Sequence, residues 1–208
     1  MILPVHVDIE ASLASLARDE HVQPDGMLKL REDLHRYDEI IEATRPEIIV
    51  ETGTRSGASA RWFKQMAPWA RVITVDIDHG ELRRDGRTPV MYLLGDSADR
   101  KIADRVQEVV GGRSCMVVLD SDHSTLHVTR EIQLYGPLVT PGCYLVVEDG
   151  IFGYASPGQH EYHLGACIGS PLEAIAAELA DNPGWVRDTA IEELHPASHH
   201  PAGFWRKA

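Results

Sequence analysis

The sequence predicts a doubly wound α/β fold, a mostly parallel sheet with helices on both faces. Three observations carry this expectation. Five short apolar runs, at 48–51, 71–76, 90–94, 115–120 and 143–148, are too uniformly apolar for half-exposed strands. Each ends in, or runs directly into, an acidic or glycine residue. The stretches between most of them carry helical spacing or helix-stop signals, so strands and helices alternate as a parallel sheet requires.

In chain order, a short amphipathic helix is expected at 8–17, followed by a turn at Pro24-Asp25-Gly26. Leu28, Leu30, Leu34, Tyr37, Ile40 and Ile41 recur at roughly helical spacing, which predicts a helix over 27–43 that Pro46 closes. Helices follow at 59–66, at 98–110 with Gly111-Gly112 as its stop, at 125–138 and at 171–180. Weaker strand signals lie near Trp185-Val186 and Phe204-Trp205, and the glycine-rich stretch 150–170 reads as a loop over the site.

A chain of 208 residues suits one full domain. Residues 1–26 form an N-terminal segment, an oligomer or lid element, ahead of a catalytic domain over 27–208. A formal net charge of -12 repels phosphate backbones and argues against nucleic acid as a partner. The cluster Arg83, Arg84 and Arg87 reads as a solvated loop. No basic-then-apolar leader and no membrane-length apolar run is present, and the three cysteines lack metal-type spacing. Cys115 and Cys143 read as small hydrophobes in strands. These features point to a cytoplasmic protein.

The first strand runs into Glu51-Thr-Gly53-Thr54-Arg-Ser-Gly57-Ala-Ser59. Gly53 permits a sharp turn and close approach of a ligand, and the helix opening at Gly57 and Ser59 offers amide groups to an electron-rich one. The pattern is neither the dinucleotide fingerprint nor a P-loop. Glu51 suits a cationic ligand such as the sulfonium and amino groups of S-adenosylmethionine. Asp76 ends the second strand, where a carboxylate accepts ribose hydroxyls. Gly95-Asp96-Ser97 ends the third, where Asp96 or Ser97 meets the adenine; Asp96 as an N-cap is the alternative. Three such sites at successive strand ends favour S-adenosylmethionine over NAD.

The fourth strand ends in Asp120-Ser121-Asp122-His123 and the fifth in Glu148-Asp149. Carboxylates crowded at one sheet mouth repel, and a hard divalent cation such as Mg²⁺ or Mn²⁺ relieves them. Such a cation lowers the pKa of a substrate hydroxyl, and His123 is placed to take its proton. Asp122 also reads as a cap of the next helix. His123 and His127 have a zinc-compatible spacing, but no third nitrogen or sulfur ligand can be placed. His160 and His163 lie in the glycine-rich loop, and His195, His199 and His200 read as a polar loop without a role.

These residues resemble the cephalosporin hydroxylase-like (CmcI-like) family of S-adenosylmethionine-dependent O-methyltransferases, near which the rhamnosyl and macrolide-sugar enzymes fall. The match runs from Glu51-Thr-Gly53-Thr-x-x-Gly57-x-Ser59 through Leu119-Asp-Ser-Asp-His123, His127-Val128 with Glu131, and Tyr135-x-Pro137-Leu138-Val139. It continues with Gly142-x-Tyr144-Leu-Val-Val-Glu148-Asp149, Gly169-Ser-Pro171 and Gly203-Phe-Trp-Arg-Lys207. The resemblance implies Asp120, Glu148 and Asp149 as metal ligands and His123 as the general base. It also implies Gly53, Asp76 and Ser97 as cofactor contacts, with Asp120 between cofactor and metal. The acceptor is then a hydroxyl of a small molecule, a sugar or other part of a secondary metabolite, and the protein a homo-oligomer. The alternatives are an N-methyltransferase on an amino sugar, a non-haem iron oxygenase, and a non-catalytic binding module.

Overall fold

The computed structural model describes residues 4–24, 26–154 and 169–208. His160, His163 and Cys167, and most of the expected loop over the site, lie outside these.

Helix α1 (Ile9–Ala17) starts at Asp8, whose Oδ1 accepts the amide of Ala11. A turn closed by an antiparallel bridge between Val22 and Leu28 leads to α2 (Arg31–Thr44). The helix therefore starts four residues later than its apolar periodicity suggests. Met27, Lys29 and Leu30 are buried all the same, but by an extended chain.

Then come β1 (Ile48–Thr52), α3 (Ala58–Met66), β2 (Arg71–Asp76), β3 (Val90–Leu94), α4 (Arg100–Val110), β4 (Cys115–Leu119), α5 (Thr125–Tyr135) and β5 (Tyr144–Val147). The last part of the chain adds α6 (Pro171–Glu178), β6 (Trp185–Arg187), α7 (Thr189–Glu192) and β7 (Phe204–Lys207). Helix α4 is capped by Asp99, not Asp96, and stops at Gly111 in the left-handed conformation. Helix α5 gives way to a 3₁₀ turn over Gly136–Leu138, because Pro137 has no amide to continue it. Its N-cap is Ser124, while Asp122 accepts the Ser124 amide in the turn before it.

The seven strands run in the order β3-β2-β1-β4-β5-β7-β6. The first five pair in parallel, and β7 runs antiparallel to both β5 and β6. Alternation along β1 sends Ile48 and Val50 into a core with α4, α5 and α6. Ile49 goes to the opposite face, against Tyr37, Ile40 and Ile41 of α2 and Phe63 of α3. Both sheet faces are covered, as the uniformly apolar strands require. The carboxyl ends of β1, β2, β3, β4 and β5 open together onto one cavity of about 1310 Å³.

Candidate active site

The turn after β1 is shaped by steric exclusion. Gly53 has φ +85, and a Cβ there would lie 1.8 Å from the carbonyl oxygen of Asp120. The β1 turn thus rests directly on the backbone at the end of β4, which a side chain would prevent. Gly57 caps α3 with φ +74, and a Cβ there would meet Leu82 at 2.8 Å. Gly53, Thr54, Ser59, Asp76, Asp96, Ser97 and Asp120 all line the cavity.

Asp76 is held by two amides, Arg55 N–H at 2.7 Å and Asp78 N–H at 3.0 Å, which leaves further lone pairs toward the cavity. Ser97 Oγ lies 3.1 Å from His127 Nε2, and Asp96 accepts the Ala98 amide. Glu51 and Gly57 are not on the cavity wall. Glu51 is fully buried beneath it, accepting from Thr74 Oγ1 at 2.7 Å, and burial pushes its carboxyl up to about 7. The cation that Glu51 feels among the described residues is Lys29.

On the same cavity, ligand atoms of Asp120, His123 and Asp149 lie within 4.8 Å of one another. His123 Nε2 is 3.3 Å from Asp149 Oδ2, and its ring packs on Phe152 at 5.3 Å between centroids. Burial, and then the repulsion of neighbouring carboxylates, pushes both Asp120 and Asp149 above the ordinary carboxylate range. Burial lowers the pKa of His123, against the opposing pull of Asp120, so its imidazole stays neutral. The two hard oxygen donors Asp120 and Asp149 fit a divalent cation, which would relieve the carboxylate repulsion and leave the His123 imidazole beside it as a base.

Glu148, the third carboxylate expected among the metal ligands, lies beside this group but is bridged to Asp120 by an ammonium. Its Oε1 accepts from Lys29 Nζ and from the Tyr37 hydroxyl, each at 2.5 Å. Lys29 also reaches Asp120 Oδ2 at 2.8 Å. Its side chain is 1% exposed, and the ion pairs with the two carboxylates, against the burial that opposes its charge, keep its pKa high. Lys29 thus stands between Asp120 and Glu148. Nothing in the sequence marked it except a lone lysine among the apolar residues Met27, Leu28 and Leu30.

His127 does not join His123. It turns to Ser97 and to Glu131 Oε1 at 3.6 Å, and Glu131 in turn accepts from Ser121. The zinc pairing is therefore not assembled among the described residues. The carboxylate cluster holds one histidine where a non-haem iron facial triad takes two. His199 and His200, read as a polar loop, are buried at 4% and 2% against the back of the site. Cys115 in β4 and Cys143, one residue before β5, are buried free thiols.

The five-strand parallel sheet, the strand-end cavity and the carboxylate–histidine cluster define a class I S-adenosylmethionine-dependent methyltransferase. The chain belongs to the rhamnosyl O-methyltransferase/CmcI family, which it matches over residues 21–208. It is 38% identical over 181 residues to the rhamnosyl O-methyltransferase of Mycobacterium bovis (strain BCG / Pasteur 1173P2), covering 83% of this chain and 71% of that one. Its fold is shared with CmcI in a Mg-SAM structure, at TM-score 0.63 and 19% identity, over 89% of this chain and 76% of that chain. It is shared also with MycE methyltransferase from the mycinamycin biosynthetic pathway, in complex with Mg, SAH and mycinamycin VI. That likeness has TM-score 0.62 and 21% identity, over 95% of this chain and 54% of the other.

Proposed function

We propose that this chain transfers the methyl group of S-adenosylmethionine to a hydroxyl of a sugar or another part of a secondary metabolite, with Asp120 and Asp149 holding a divalent cation. The observation that carries this reading is the convergence of Asp120, His123 and Asp149 on the cavity wall that Gly53, Asp76 and Ser97 also line. A divalent cation held there would supply charge that lowers the pKa of an acceptor hydroxyl.

The chain's own residues do the rest. Asp76 holds the ribose, Gly53 lets the cofactor approach the backbone, and Asp96 and Ser97 meet the adenine. His123, kept neutral by burial, takes the acceptor proton at Nε2. Asp149 Oδ2, 3.3 Å from that nitrogen, stabilises the imidazolium that forms. The freed oxygen attacks the methyl carbon in line, and the departing sulfur leaves as the neutral thioether. Glu148 acts through Lys29 by setting where that ammonium sits against Asp120.

Leu13, Leu16 and Ala17 of α1 line the same cavity, which supports reading this helix as a lid element. None of the described helices is long and apolar enough to cross a membrane. We read the protein as a homo-oligomer on the strength of the family resemblance, a state that light scattering would measure directly.

The test is calorimetric titration of S-adenosylhomocysteine, with and without Mg²⁺, into wild type and Asp120→Ala. Product binding by both proteins, with Mg²⁺ binding lost in the variant, supports the reading. Failure of the product to bind wild type would overturn it. Methylation that survives a chelator would move the acceptor from a hydroxyl to an amine.

A further inference from the structure

His200 is buried behind the site and has no part in the steps above. Its Nδ1 accepts the backbone N–H of Asp149 at 3.0 Å. Its Nε2 lies between two carboxylates, 3.6 Å from Glu148 Oε2 and 3.7 Å from Asp33 Oδ2. Both neighbours favour a proton on Nε2, and the amide bond requires Nδ1 to be bare, so the two sides select the same tautomer.

Asp149 itself sits at φ +57, a left-handed conformation that a residue with a side chain rarely adopts. It persists where the surroundings over-determine it. Here the same segment grips the chain on both sides: Val147 N–H donates to Gly203 O at 2.9 Å, and Ile151 N–H to His199 O at 3.1 Å. The close approach depends on glycine, since a Cβ at 203 would lie 2.3 Å from the Val147 oxygen and one at 150 would lie 2.7 Å from the Pro201 oxygen. The bond from the Asp149 amide to His200 is the central contact of this clamp and the one made by a side chain.

We propose that His200 is a positioning residue for the cation site: its bare Nδ1 holds the Asp149 amide, and so the left-handed turn that aims the Asp149 carboxylate at Asp120 and His123. The inference rests on the reading of Asp149 as a cation ligand given above. Side chains that orient a ligand in this way typically change metal affinity by about 10–100-fold when removed.

Mn²⁺ titration followed by the paramagnetic resonance of the free ion tests this on the full chain. His200→Phe is expected to weaken Mn²⁺ binding by about tenfold or more. His200→Asn, whose side-chain oxygen can accept the same N–H, is expected to recover most of the loss. Equal affinity in wild type and His200→Phe would overturn the role of His200 and leave the cation site standing. Absence of Mn²⁺ binding by wild type would overturn the cation reading and this inference with it. If His200→Phe does not fold, the ¹⁵N resonances of wild-type His200 decide. A bare Nδ1 coupled to the Asp149 amide supports the proposal, and a protonated Nδ1 overturns it.

Discussion

Lys29 Nζ stands 2.8 Å from Asp120 Oδ2, which ties the segment before α2 to the end of β4 across 91 residues of sequence. The ammonium is an internal counter-ion for a carboxylate that also faces the proposed cation. Lys29→Met would strand Glu148 as a buried acid and leave the part-buried Asp120 without its ammonium, and breaking a buried pair on one side costs about 3–5 kcal/mol. Thermal unfolding should show a lowered midpoint, recovered in part by Lys29→Met/Glu148→Gln, which removes both charges. Mg²⁺ should raise the midpoint of Lys29→Met more than that of wild type. An unchanged midpoint in the single variant would mean that the ion pair contributes nothing to the fold.

His123→Ala should lower kcat by about 10²–10⁴-fold, the usual contribution of a positioned general base. Affinity for S-adenosylhomocysteine should stay near wild type, because the cofactor contacts are assigned to Gly53, Asp76, Asp96 and Ser97 and not to His123. A variant that keeps its turnover would remove His123 from the chemistry.

Gly53→Ala places a methyl group where the Asp120 carbonyl oxygen already is, in a backbone conformation that alanine rarely adopts. The β1 and β4 ends must separate, so cofactor binding and stability should fall together. Calorimetry and a melting curve on the same preparation would measure both. Loss of neither would mean that the two strand ends can part freely.

The stability of the fold should also depend on pH through His199. Burial lowers its pKa to about 4, from an ordinary value of 6.5, and its Nε2 pairs with Ser15 at 3.0 Å. The folded chain therefore holds this ring neutral where the unfolded chain would protonate it. Its contribution is fully present above about pH 6.5 and is lost as pH falls toward 4, up to about 3 kcal/mol. His199→Gln should flatten the melting midpoint between those limits. A wild-type midpoint that does not fall over this range would contradict the buried neutral ring.

The sheet was legible because its cause is local. Uniformly apolar runs such as Cys115–Leu119 cannot be half-exposed, and a chain turning at their ends must use Gly53, Gly95 or an acidic cap. The strand-end residues Asp76, Ser97, Asp120 and His123 were legible for the same reason. Lys29, Tyr37 and His200 were not, because each acts on a residue from 51 to 119 positions away. A lysine beside leucines reads locally as one more amphipathic position, and paired histidines before a proline read as a polar loop. Glu148 shows what strand ends alone leave open. It sits where a cavity carboxylate should, yet the pleat turns it toward α2, while its neighbour Asp149 faces the opening.

Strand β7 lies between β5 and β6, although both are synthesised before it. On the ribosome, the edge of β5 therefore stays unpaired until residues 204–207 have emerged, and β6 has no partner to join. The stretch 199–203 that grips the Asp149 turn emerges just ahead of that strand. A nascent chain can thus assemble the β1, β2 and β3 ends early, while the β5 end still lacks its grip. Ribosome stalling or proteolytic loss near the carboxyl terminus should yield a fragment with an open, aggregation-prone edge.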